Sequence, residues 1–96
     1  MRRSNTERLG NVIREYLEKL HLDRRLKEVE IAGKWEEVVG KIIASKTEKV
    51  TVRDGTMYVH IRSSVVKNEL MMIRNDLVRA INDRAGEEVV KEIVFR

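Results

Sequence analysis

The chain has 96 residues with no cysteine and no proline, and 42% of its residues are hydrophobic. That length suits one domain that folds without disulfide staples, and the missing cysteines exclude thiolate chemistry while fitting a reducing cytosol. Charged residues reach 38% and no apolar run approaches a membrane span. The polar stretch after Met1 is not a secretory signal, and 20 basic against 16 acidic groups permit an anionic partner without requiring one.

Leu9, Val12, Ile13, Tyr16, Leu17 and Leu20 recur with a 3.6-residue period, which predicts an amphipathic first helix. Ser4 and Glu7 have capping-box spacing ahead of it. Residues 1–5 read as a flexible basic arm, and Arg2, Arg3 and Arg8 give the helix a cationic start able to follow a phosphate backbone; a frayed charged terminus is the plainer reading. A second helical region is predicted from about Asp23, a candidate N-cap, to Ala44. Leu22, Leu26 and Val29 set one stripe there, and Trp35, Val38, Val39, Ile42 and Ile43 set another. Gly33 marks a kink or break between the two. Gly40 suggests close approach of another backbone.

The period then falls to two. Val50 and Val52 alternate with Lys49, Thr51 and Arg53, and Met57, Val59 and Ile61 alternate with Tyr58, His60 and Arg62. Asp54-Gly55 between them suits a type I′ turn, so residues 49–62 read as a β-hairpin. Ser63 or Ser64 caps a third helix with the stripe Val66, Leu70, Ile73, Leu77 and Ala80/Ile81, which ends near Gly86. A last strand runs from about Glu88 to Phe95. The order α-α-β-β-α-β predicts an α+β domain over residues 1–96. Its sheet has three strands, antiparallel or mixed, with helices packed on one face and the other face left to water or a partner.

Catalytic chemistry is hard to build from these residues. His21 lacks the partners of a zinc site. His60, Ser63 and Asp54 have neither a nucleophile elbow nor a glycine-lined oxyanion hole. No phosphate-binding loop, dinucleotide fingerprint or metal-binding carboxylate loop occurs. We therefore expect no enzyme, catalytic residue, metal, cofactor or small-molecule substrate.

Surfaces remain. If the apolar members of the hairpin face the helices, Lys49, Arg53, Tyr58, His60 and Arg62 share the opposite face. Cations for phosphates beside a ring for bases is the chemistry that single-stranded nucleic acid requires. The plainer reading is a solvated sheet face whose charges block edge pairing. Trp35 reads as core by its stripe, or as an anchor for a partner protein. Met71 and Met72 read as core filling, or as an adaptable apolar patch for a partner.

The run Trp35-Glu36-Glu37-Val38-Val39-Gly40-Lys41-Ile42-Ile43-Ala44 resembles the signature of the DciA family of small bacterial proteins, long described as a domain of unknown function. Gly55 with Met57, Val59 and Ile61 is similar to that family's glycine turn and following strand. Ser63-Ser64 with Glu69-Leu70 is similar to the start of its long helix, and Leu77, Asn82, Gly86, Val90 and Ile93 to its ending. The resemblance implies a KH-like fold and a non-catalytic role in DNA replication. It also implies binding to a DnaB-type replicative helicase and to single-stranded or duplex DNA, at a cytoplasmic, nucleoid-associated location. Val65-Val66 stand where many members have a tryptophan after the serine pair, and the G-x-x-G clamp of KH domains is absent. A free-standing nucleic-acid module and a purely structural interaction domain, such as a dimer pairing an exposed strand edge, remain alternatives.

Overall fold

A computed structural model describes the backbone of residues 2–96 and the side chains of residues 8–96. The expected arm over residues 1–5, with Arg2 and Arg3, and the Ser4–Glu7 pair lie outside the described side chains. The elements are helices α1 (Arg2–Ala32), α2 (Trp35–Val39) and α3 (Lys41–Ser45), strands β1 (Thr47–Arg53) and β2 (Thr56–Ile61), helices α4 (Ser64–Met72) and α5 (Arg74–Ala85), and strand β3 (Glu92–Phe95). The fold is α+β, with one three-stranded sheet in the order β1-β2-β3. β1 and β2 pair antiparallel, and β3 joins β2 in parallel after the α4–α5 crossover.

The first helix corrects the expected pair. Nothing between Leu20 and Asp23 breaks a helix, since neither glycine nor proline occurs there, so α1 runs on to Ala32 and Asp23 lies inside it. The break comes at Gly33-Lys34, where Lys34 N–H turns back to Ile31 O at 3.0 Å. Gly40 then separates α2 from α3. It stands at φ +89°, and a Cβ added there would meet no atom within 4 Å, so it serves backbone conformation and not the expected close approach.

The hairpin follows its alternation. Asp54 and Gly55 both take positive φ, 51° and 84°, the signature of the type I′ turn. Val50 pairs with Val59 and Val52 with Met57, which puts the apolar set on one face. A bulge at Glu48 shifts the register, so that Thr47 pairs with Ile61. Thr47 Oγ1 thereby accepts the Trp35 indole N–H at 3.1 Å and donates to Ile43 O at 2.9 Å.

The third helix also divides. Ser63 caps α4 by accepting the Val66 N–H at 3.3 Å. At Ile73 the chain makes a tight bond back to Leu70 O, and α5 starts afresh. Gly86 closes α5 in the left-handed region at φ +77°. The final strand is shorter than expected because residues 88–91 form an irregular segment. Asn82 holds that segment: its Oδ1 accepts the Val89 and Val90 N–H groups at 3.0 and 2.8 Å, and its Nδ2 donates to Val90 O at 2.8 Å.

The core joins Met57, Val59, Ile61, Ile93 and Phe95 of the sheet to Leu70, Leu77 and Ile81 of α4 and α5 and to Ile31 and Trp35. Glu28 is buried among them at 1% exposure. Its Oε2 accepts the Gly55 N–H at 3.2 Å, and Arg25 lies 3.6 Å from its other oxygen. The end of α1 is thus tied to the hairpin turn.

Candidate nucleic-acid interface

The outward face of the sheet follows from the register. Lys49 stands opposite His60, Thr51 opposite Tyr58 and Arg53 opposite Thr56. On β3, Val94 pairs beside Tyr58, while Ile93 and Phe95 turn into the core. This face floors an open groove of about 940 Å³. The last turns of α1 wall it with Arg25, Val29, Ala32 and Gly33, running beside β1.

Lys49, Arg53, Tyr58 and His60 therefore share one groove, joined by Arg25 and Arg96. Its lining includes four permanent cations and no acidic side chain. The Arg96 guanidinium lies 4.7 Å from the centroid of the Tyr58 ring, a cation–π distance. One side of that ring therefore presents a flat cation, which offers charge to a phosphate and a plane to a base. Glu92 bounds the turn end of this face and accepts the Thr56 hydroxyl at 3.2 Å.

Arg62 departs from the expected set and is not part of the groove lining. It follows the last residue of β2, and its Nη2 donates to Ser45 O at 2.7 Å while its N–H donates to Lys46 O. It secures the end of α3 to the sheet. Arg25 and Arg96 were missed by sequence reasoning. Arg96 continues the outward alternation of Glu92 and Val94, a signal that becomes readable once β3 is known to lie beside β2. Arg25 carried no signal, because its place depends on where α1 crosses β1.

The expected partner residues separate. Trp35 is 4% exposed, its ring in the core and its N–H satisfied by Thr47, so the anchor reading is corrected: it presents no surface to a partner. Met71, Met72 and Ile73 are exposed at the α4–α5 break, Met72 at 84%. They border a shallow depression of about 380 Å³ with Arg74 and Arg79.

Among the described residues, no group of three or more His, Cys, Asp or Glu is placed to hold a metal ion, and no helix is long and apolar enough to cross a membrane. The family model described as Dna[CI] antecedent, DciA, matches residues 8–95. A UPF0232 protein of Rhodococcus jostii (strain RHA1) is 30% identical over 69 residues, covering 72% of this chain and 37% of that protein. Another, from Corynebacterium glutamicum (strain R), is 22% identical over 87 residues, 91% of this chain and 49% of the relative. The chain thus spans about half the length of these relatives.

Proposed function

The chain belongs to the DciA family, and from that premise we propose that it is a non-catalytic accessory of bacterial DNA replication that binds a DnaB-type helicase and DNA and assists the helicase's loading or operation. Family membership supports the replication role in general. The observation that carries the DNA element is the groove lined by Arg25, Lys49, Arg53 and Arg96 without an acidic side chain. Lys49 and Arg53 offer charge to phosphates along β1, and Arg25, which also lies 3.6 Å from Glu28 Oε1, adds to the groove wall. Arg96 and Tyr58 supply the plane for a base, and His60 adds a ring edge near Lys49. A strand seated there is positioned, not transformed. The exposed Met71-Met72-Ile73 patch offers a motor protein an adaptable apolar contact, bordered by Arg74 and by the Asp76–Arg79 ion pair.

The test has two arms. In fluorescence anisotropy with single-stranded DNA, duplex DNA and RNA, the chain binds DNA at low salt, and changing Lys49, Arg53 and Arg96 together to Glu abolishes binding with an unchanged far-UV spectrum. In a pull-down with the host's DnaB-type helicase, the wild-type chain is retained and a Met71→Glu, Met72→Glu double variant is not. Binding to RNA alone, with no helicase retention, selects the free-standing nucleic-acid module.

A further inference from the structure

Between Arg8 and Leu22, every residue of α1 is exposed in this chain. Leu9, Val12, Ile13, Tyr16, Leu17 and Leu20 are each between 47% and 62% exposed, all on one stripe. An isolated helix carrying such a stripe is marginal in water, because most helical stability in proteins comes from packing the apolar face. Together these six side chains expose on the order of 600 Å² per copy, and a pair of copies about 1,200 Å², the lower edge of what specific interfaces bury.

We propose that this stripe pairs with the same stripe of a second copy, antiparallel, across a two-fold axis between Arg14 and Glu15. The spacing is self-complementary about that point: Leu9 faces the partner's Leu20, Val12 its Leu17 and Ile13 its Tyr16. A closed dimer needs such a self-matching patch. Charge selects the direction. A parallel pair stacks Arg8 on Arg8 and Asp23 on Asp23, whereas the antiparallel pair brings Arg8 within a turn of the partner's Asp23. Arg8 then also approaches the groove of about 460 Å³ beside the hairpin turn, which holds Asp23, Asp54 and Glu88 and whose lining carries five carboxylates to three cations. Gly10 fits the same arrangement. It sits inside the helix beside the stripe, where glycine is costly, and a Cβ added there would meet nothing within 4 Å. In the antiparallel pair it leaves room beside the partner's Leu20.

This dimer does not depend on the replication reading, and its test reads assembly alone. Sedimentation equilibrium of the chain shows a monomer–dimer equilibrium. Ile13→Glu and Leu17→Glu each weaken it by about 100-fold or more, while the near-UV signal of the buried Trp35 stays unchanged because the substitutions lie outside the core. The absence of native cysteine permits a check on direction. In a mixture of Arg8→Cys and Asp23→Cys chains, a short bismaleimide yields the mixed cross-link over either like pair. Three results overturn the proposal: a monomer at about 100 µM, a dimer indifferent to both glutamates, or a preference for like cross-links. A monomer whose stripe variants lose helicase retention assigns the stripe to the helicase instead, and equally removes the second copy.

Discussion

Asn82 does the work of a short strand. One half-buried side chain satisfies three backbone groups of the segment that leads into β3, a segment with no regular ladder before Glu92. Replacing Asn82 with Ala leaves those groups without their partner, and we expect a loss of about 2–4 kcal/mol in urea unfolding, from ~1 kcal/mol for each net hydrogen bond plus partial burial. Trp35 is the second residue whose role is structural. Its ring fills the junction of α2, β1 and the sheet, and Trp35→Ala should cost about 3–5 kcal/mol. Helicase retention by the folded fraction should be unchanged, as measured by pull-down below the unfolding temperature. The tryptophan's burial was legible from its stripe with Val38 and Val39, but its bond to Thr47 was not. That bond exists because a bulge at Glu48 turns Thr47 inward, and no residue type at position 48 announces a bulge.

Elements separate into those specified locally and those specified by packing. The hairpin is local: its alternation sets the buried face, and Asp54-Gly55 sets the turn. Gly55→Ala places a Cβ at φ +84°, which should destabilise the domain by about 1–2 kcal/mol. Lys91 side-chain carbons at 3.5 Å leave ordinary contact room, so a thermal-melt shift there measures conformational strain and not a clash. The helices were less legible. Residues 20–24 carry no breaker, so the expected division of α1 had no physical cause behind it. The real break in the third helix, at Ile73, has no breaker either. It takes Ile73, a member of the expected stripe, out to solvent while Leu70 and Leu77 stay buried, a trade made by packing that a regular stripe conceals.

At the scale of the molecule, the radius of gyration is 18.2 Å, against about 12–13 Å for a compact domain of this length. The excess is α1, whose stripe-bearing turns extend past the core. Charge is also arranged at this scale: the chain carries a net surplus of +4, and four cations gather along one groove. If single-stranded DNA lies in that groove, log affinity should fall linearly with log salt. Charge neutralisation at Lys49, Arg53 and Arg96 should flatten the slope by about 2, since each lost phosphate contact removes ~0.7. Arg62→Ala should leave the slope intact and lower stability instead, because its guanidinium binds Ser45 O.

From residue order alone came the α+β class, the three strands, the hairpin with its turn, the caps at Ser63 and Gly86, and most of the cationic face. These depend on contacts close along the chain, where period and turn chemistry act directly. The resemblance to the DciA family was equally readable there. Three-dimensional packing alone settled the rest: that α1 leaves its apolar stripe uncovered, that Arg25 and Arg96 enter the groove while Arg62 leaves it, and that Glu28 is buried against the hairpin turn. Each of those depends on residues far apart in the chain meeting at one crossing, and a periodic pattern holds no information about where such crossings fall.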